Sequence, residues 1–430
     1  MSNTQDRIVI VSGARTPFVR ARTVFQKMPP SALGGVALRE AAARSDIDPK
    51  LIEECYFGIV SAPAEGTNVA REAIFDSGLP STIAATTVNR YCASALEAAA
   101  GIAAKIQAGQ IDIGLAGGVE SISTVRALFS QDATDFFQDF AKLKTPADQL
   151  KHATRFKPKM LMPLAPGIKE PTTGLTMGQS GDLMAREFHI TREEQDQFAV
   201  ESHHKAHAAW ERGFYRSHVV AVSTPDGKII DRDTDIRNDT SVEKLAKLRP
   251  VFYKDGTITA GNASPLTDGA SACLLMRESQ ARALKLPILG AIRSYAAKGV
   301  DIKKEPLLIG PAYAIPAALK KAGIQWKDLD IVEVHEAFAA QVLATVKAIE
   351  SPQFCKEKLG LDKPIAERVD RATLNVNGGS IPLGHPFGAT GVRVLLQTLH
   401  ELRARKKNLG LISVCAAGGL GSVMVVEAID

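Results

Sequence analysis

Four side chains in this sequence carry reactive atoms in settings that would leave those atoms usable. Cys92 stands in VNRYCASALEAAAGIAAKIQAGQ (88–110), one step ahead of an alanine-rich run of strong helix formers. His385 lies in GGSIPLGHPFGATG (378–391), Cys415 in SVCAAGGLG (413–421) and His335 in IVEVHEAF (331–338). A free thiol with a pKa of about 8.5 is only a few per cent thiolate at neutral pH. A helix N-terminus favours an anion by about 0.3–2 kcal/mol, little more than one pKa unit, so a nucleophilic Cys92 needs a nearby base, and a histidine is the natural one. Glycines and two prolines bracket His385 and put it on a loop. Cys415 ends a strand at AAGG, where successive backbone N–H groups can face a developing oxyanion. His335 ends another strand at the start of a helix, a place that keeps imidazole neutral and able to donate to a carbonyl oxygen. His203 and His207, spaced i and i+4 in HHKAH, make a tempting metal pair, but no third ligand or HExxH pattern accompanies them. We read them as a solvated helix face and expect no metal.

The elements that would position these groups come in two copies. ALREAAARSDIDPKLIEECYFGIV from Ala37 and AALKKAGIQWKDLDIVEVHEAF from Ala317 both read as helix, turn and strand, with Ile52 matching Leu329 at an offset of 277. A second match sets AAAGIAAKIQAGQIDIGLAGG against VLLQTLHELRARKKNLGLISVCAAGG, with Ala116 on Cys415 at an offset of 299. The difference of 22 residues is assigned to an insertion at Ser351 to about Ala372. A doubled α/β architecture follows, with short apolar strands buried between helices. Paired about a pseudo-twofold axis, the helix starts at 92 and near 391 would converge and bring His385 to Cys92. Between the halves the alternation lapses, and its clearest helix is TREEQDQFAVESHHKAHAAWERG, capped by Thr191 with Glu194 three residues on. GTITAGNASPLTDGASACLLM (256–276) reads as a strand returning to the first half. The expected domains are 1–125 plus 250–284, an inserted, mainly helical 126–249, and 285–430.

Bulk composition narrows the classes. The chain has 430 residues, 45% of them hydrophobic, enough for large cores. Its formal charge is +5, but six cations against Asp148 between Ala141 and Met160 account for an equal excess, so the basicity is local. That argues against nucleic acid and points, with Phe136, Phe137, Phe140 and Phe156, to a partner or membrane surface. Five scattered cysteines without CxxC spacing exclude a disulfide framework and a structural zinc site. With no signal peptide and no apolar run near 20 residues, a reducing, cytoplasmic setting is expected.

Taken together, VSGARTPF, VNRYCASAL, GGVESIS, GNASPLTDGA, GHPFGATG and CAAGGLG resemble the thiolase superfamily over nearly the whole chain. The resemblance implies the thiolase fold, two α/β halves in an αβαβα core with an inserted loop domain. It implies Cys92 as acylated nucleophile, His385 as its base and Cys415 as acid and base at the substrate α-carbon. The N–H groups of Cys92 and Ala417 would form an oxyanion hole, and Met177, Ser264 and Gly418 would meet the coenzyme A portion of the substrate. Coenzyme A would be a co-substrate, with no permanent cofactor. Most thiolases have Asn-Glu-Ala-Phe where this chain has HEAF (335–338), so His335 replaces an asparagine that holds an oxyanion-hole water and, with His385, would contact the thioester oxygen directly. That variant resembles the trifunctional-protein β-subunit branch. It implies a 3-ketoacyl-CoA thiolase of fatty-acid β-oxidation, a homodimer, and a hydratase/dehydrogenase α-subunit as partner. The alternatives are an acetyl-CoA acetyltransferase, a condensing ketoacyl synthase, against which Cys415 speaks, and a non-catalytic acyl-CoA carrier.

Overall fold

A computed structural model describes residues 6–126, 128–162 and 169–429. The strands are β1 Ile8–Arg15, β2 Val19–Arg20, β3 Glu54–Gly58, β4 Ala84–Val88, β5 Ile113–Glu120, β6 Val222–Ser223, β7 Ile229–Ile230, β8 Thr267–Arg277, β9 Gly290–Gly299, β10 Ile331–Val334, β11 Leu409–Ala416 and β12 Leu420–Glu427. The main sheet runs β10-β11-β12-β9-β1-β8-β5-β3-β4, with β2 paired to β8 beside that path, and β6 and β7 form a hairpin of their own. β1, β5 and β11 are buried at every residue, as near-continuous apolar strands must be when both sheet faces are covered.

The order is symmetric about the β1–β9 seam, where Ile8–Ile10 pair with Gly290–Ile292. Outward from it, β8, β5 and β3 on one side answer β12, β11 and β10 on the other. A single parallel bridge from Val332 to Leu374 stands where β4 would have its twin. The duplication reaches individual atoms. The ladder slips by one residue between Ile10 and Ser12 opposite β8, and β9 carries the same irregularity opposite Val425 and Val426 of β12. Ser12 Oγ donates to Ala41 O at 2.5 Å, and its counterpart Ser294 Oγ donates to Ala318 O at 2.8 Å. Each bond ties a bulged strand to the helix covering it, Pro30–Ala43 or Gly310–Ala322.

Strand pairing corrects the alignment of the copies. Glu54 pairs with Gly114 and Ile331 with Gly410, so Gly114 answers Gly410 at an offset of 296 rather than 299. Cys415 therefore corresponds to Val119, and Ala116 to Ile412. Ala85, opposite Cys55, corresponds to Leu374, opposite Val332, at an offset of 289. The added residues thus fall in two places, twelve before Leu374, where the helix Pro352–Leu359 lies, and seven after it. The reading of 256–276 as one strand is also corrected, because the strand spans only Thr267–Arg277, and before it Ala263 and Leu266 make single bridges to Phe338 and His385. In the preceding loop Asn262 Oδ1 accepts from the Thr259 amide at 2.8 Å and Thr259 Oγ1 from the Gly261 amide at 3.1 Å, so side chains take the place of a ladder.

Three large apolar clusters make up most of the core among the described residues, with a smaller fourth around Trp210, Tyr215 and Leu383. One packs the helices Pro30–Ala43 and Val69–Ser77 on the first half-sheet, and another packs Gly310–Ala322 and Ala339–Glu350 on the second. The third holds Ser94–Gln107 and Thr390–Arg405 against strands of both halves, which gives the five-layered αβαβα order. These two central helices start close together. A Cβ on Gly391 would lie 2.4 Å from the Leu96 amide, so only glycine allows the approach.

The chain divides into two compact units, Val125–Thr176 and the remainder. The segment expected as an inserted domain thus contributes a unit of its own up to Thr176, and from Met177 onward it belongs to the larger body. The smaller unit contains the helices Gln131–Lys142 and Pro146–Ala153, capped by Ser130 and Thr145, around Phe136, which stacks on His152. In the larger body the helix Arg192–Glu211 has the expected capping box of Thr191 and Glu194. His203 is not on a solvated face: it is buried and its Nδ1 accepts from the Arg237 amide at 3.1 Å, a structural bond. Among the described residues no helix is long and apolar enough to cross a membrane.

Candidate active site

Each reactive group sits where a regular element ends. After β4 the chain folds back through Asn89, whose Oδ1 accepts from the Tyr91 amide at 2.9 Å, and Ser94, whose Oγ accepts from the Arg90 amide at 2.8 Å. These bonds hold Tyr91 at φ 48°, a left-handed conformation costly for a residue with a Cβ. The kink presents Cys92 just before the helix Ser94–Gln107. His335 follows β10, its amide donating to Ser413 O at 2.8 Å. Cys415 pairs with Gly421 in the β11–β12 hairpin, which turns through Ala417, Gly418 and Gly419, the last two at φ 74° and 72°. The double glycine is therefore required by the turn.

The loop carrying His385 is clamped to the first half. A Cβ on Gly118 would lie 2.0 Å from Gly388 O, so the loop backbone lies directly on the end of β5. Glu120, buried two residues on, accepts from the amides of Val60 at 3.1 Å, Ser61 at 2.9 Å and Gly388 at 3.0 Å. Burial pushes its carboxyl up to about 7, against the pull of those three N–H groups.

These elements bring Cys92, His335 and His385 together, with Sγ and a nitrogen of each ring within 4.8 Å of one another. The ring centroids are 4.0 Å apart. His385 Nδ1 meets Thr390 Oγ1 at 2.7 Å and His335 Nδ1 meets Ser380 Oγ at 2.8 Å, and each Nε2 is buried without a hydrogen-bond partner among the described residues. Thr390 Oγ1 donates its own proton to Pro386 O at 3.0 Å, so it accepts from His385 Nδ1–H, and His385 Nε2 carries a lone pair. Burial, followed by Arg393, holds His385 down to about 3, and burial with His385 and Arg393 keeps His335 neutral too. The modest lowering expected of the helix start is overridden at Cys92: burial, then Glu120, push its thiol up to about 12, while its own amide and that of Ala417 favour the anion. Cys415 is raised in the same way by burial and then by Cys92, so ionising one thiol opposes ionising the other. At rest the pocket is neutral. One thiol and two imidazoles are also a donor set that suits zinc, although three of these groups hold a metal only as thiolate and neutral rings.

The remaining expected residues lie on other elements of the same body. Gly418 lies under the Tyr91 ring, 3.5 Å from where a Cβ would project. Ser264 donates through its amide and its Oγ to Ala337 O, each at 3.0 Å, and so rests on the HEAF turn. Met177 opens the helix Met177–Glu187, which meets Phe252 and Phe338 through Gly178 and Gly181. Sequence reasoning passed over Tyr91, Glu120, Ser380, Thr390 and Arg393. Their signal was polar or bulky residues inside glycine-dense or strand-end motifs, where a fully buried polar group needs a designated partner.

Residues 8–279 match the thiolase N-terminal domain and residues 286–428 the thiolase C-terminal domain. A 3-ketoacyl-CoA thiolase of Pectobacterium carotovorum is 44% identical over 424 residues, covering 98% of this chain and 97% of that protein. One of Vibrio cholerae is 45% identical with the same coverage. Among solved structures, the Bacillus anthracis acetyl-CoA acetyltransferase is 32% identical, covers 100% of both chains and superposes with a TM-score of 0.83. Human mitochondrial 3-ketoacyl-CoA thiolase in complex with CoA has the same TM-score at 28% identity, covering 99% of this chain and 98% of that one.

Proposed function

The chain belongs to the thiolase family, and from that premise we propose that it is a 3-ketoacyl-CoA thiolase, an acetyl-CoA C-acyltransferase acting in fatty-acid β-oxidation. The observation that carries this is a thiol, two neutral imidazoles and a second thiol gathered at element ends that both halves contribute. His385 Nε2 takes the Cys92 proton as sulfur attacks the 3-keto carbon of a 3-ketoacyl-CoA. The N–H groups of Cys92 and Ala417, and His335, bear the oxyanions that form as carbonyls are attacked. The bond between the α and β carbons breaks, and Cys415 protonates the departing acetyl-CoA enolate. Cys415, now a thiolate, then takes the proton of an incoming coenzyme A, whose sulfur accepts the acyl group from Cys92 as His385 returns its proton to the departing Cys92 sulfur. Because one ionised thiol disfavours the other, the two act in alternation. Met177, Ser264 and Gly418 line the approach for the pantetheine arm.

We place the protein in the cytoplasm as a homodimer. The HEAF motif supports membership of the trifunctional β-subunit branch. The basic unit with exposed Phe129, Leu150 and Met162 supports contact with an α-subunit or an anionic membrane. The test is coenzyme A-dependent cleavage of acetoacetyl-CoA and 3-ketohexadecanoyl-CoA by the purified chain, beside Cys92→Ala and Cys415→Ala. Cleavage favouring the longer substrate and lost in both variants is expected. Cleavage of acetoacetyl-CoA alone would favour the acetyl-CoA acetyltransferase reading, which the full-length likeness to the Bacillus anthracis enzyme supports. Cleavage of neither, with Cys92 inert to alkylation, would leave the carrier reading.

A further inference from the structure

We propose that Ser380 and Arg393 are positioning residues that lock His335 in the tautomer whose Nε2 carries the proton, so that the two histidines beside Cys92 present opposite hydrogen-bonding faces. The inference rests on the thiolase reading for its catalytic consequence, but the proton accounting stands on the structure alone. Arg393 is fully buried and its Nη2 donates to Ser380 Oγ. A guanidinium has no acceptor to offer, so the serine oxygen receives that bond and keeps its own proton to give. Ser380 is itself fully buried, and among the described residues the one acceptor its hydroxyl meets is His335 Nδ1, at 2.8 Å. Nδ1 must then be the unprotonated nitrogen, and the proton of the neutral ring sits on Nε2, which has no partner in the resting pocket.

His385 is held the other way. Thr390 gives its proton to Pro386 O and accepts from His385 Nδ1, leaving a lone pair on Nε2. Two similar side chains 4.0 Å apart are thus sorted by their supporting hydroxyls into one acceptor and one donor. The acceptor serves the Cys92 proton, and the donor serves the oxygen of a carbonyl under attack. If both rings followed the Thr390 pattern the site would have two bases and no imidazole donor. If both followed the Ser380 pattern it would have no base for the thiol. Burial pulls the Arg393 guanidinium below its usual range, and Glu333, then Tyr215 and Glu336, work against that fall. The Nη2–H has no lone pair to offer, so Ser380 accepts rather than donates toward Arg393.

The experiment uses the full chain labelled with 15N at histidine. Long-range 1H–15N correlation of the substrate-free wild type, assigned by loss of signals in His335→Gln and His385→Gln, should show His335 protonated on Nε2 and His385 on Nδ1. His335 protonated on Nδ1 would overturn the proposal, whatever the protein catalyses. In Ser380→Ala the His335 signals should move toward a tautomer mixture, and kcat for cleavage should fall about 10- to 100-fold with KM within about twofold, since a donor needed in the transition state is lost. Alkylation of Cys92 by iodoacetamide should stay within about twofold of wild type, because His385 and Thr390 are untouched, whereas Thr390→Val should slow it. Equal loss of alkylation and turnover in Ser380→Ala, or unchanged turnover, would also overturn it. A wild type that cleaves no 3-ketoacyl-CoA would count against the thiolase reading and leave the tautomer result standing.

Discussion

Replacing Glu120 by glutamine should move three observables in directions that no simple loss of structure would combine. Its Oε2 accepts from the amides of Val60 and Gly388, and its Oε1 from that of Ser61. A glutamine can keep its oxygen toward the first two only by turning an NH2 toward the third. One buried amide then faces a donor, at a cost of about 1–3 kcal/mol. With the usual unfolding entropy per residue, a chain of this size should melt roughly 1–3 °C lower. Gly388 belongs to the loop that carries His385, so turnover should fall as well. Yet the change removes a negative charge that holds the Cys92 thiol up, so alkylation of Cys92 should become faster. The pH dependence sharpens the test. Burial holds Glu120 up to about 7, so in the wild type its charge develops only as pH rises through that value. Iodoacetamide rates for the two proteins should therefore nearly coincide at about pH 6 and separate above about pH 7.5, with the variant faster. Slower alkylation in the variant, or a ratio that does not change with pH, would refute the assignment of Glu120 as a charge felt at Cys92.

Two further outcomes follow from the packing. Gly118→Ala would place a methyl 2.0 Å from Gly388 O. Displacing that backbone should cost about 1–3 kcal/mol and lower turnover at least about tenfold in a chain that still folds, read from melting and steady-state rates side by side. The stacked pair His218 and His400 gives the fold an acid-sensitive point outside the site. Burial, then Arg403 and Arg44, hold His400 down to about 4, and burial with His400, Arg15, Arg44 and Arg393 holds His218 well below its ordinary range. The unfolded chain thus binds more protons than the folded one from about pH 6.5 down to about 4, so stability should fall with pH across that window. His400→Gln should flatten the fall, as followed by melting temperature at a series of pH values.

The groups that do chemistry were legible because each reactive type stands in a motif with its own backbone requirement. Glycines mark the turns after Cys415 and around His385, and the alanine run after Cys92 marks the helix. The duplication was legible from repeated helix and strand text, but its register was off by three residues in the second repeat. Sequence similarity there follows composition, whereas the offset is set by which amides face which carbonyls across β3–β5 and β10–β11. Glu120, Ser380, Thr390 and Arg393 were not legible as functional, since their roles depend on partners up to 268 residues away or on a direction of hydrogen bonding that no single sequence displays. Cys92 shows the same limit: its helix start was evident, but the packed walls that keep its thiol neutral were not.

The seam at the middle of the sheet sets a schedule for synthesis. β1 leaves the ribosome long before its neighbours β8 and β9, which begin at Thr267 and Gly290. At about 5–20 residues per second, this strand, apolar from Ile8 to Val11, waits on the order of 15–50 s with both edges unpaired. The helix Pro30–Ala43 can cover one face in that interval, but nothing yet made can satisfy the ladder. A nascent chain stalled before Thr267 should therefore present β1 to chaperones or to its neighbours on a polysome, and it should become protease-resistant only after β8 has emerged.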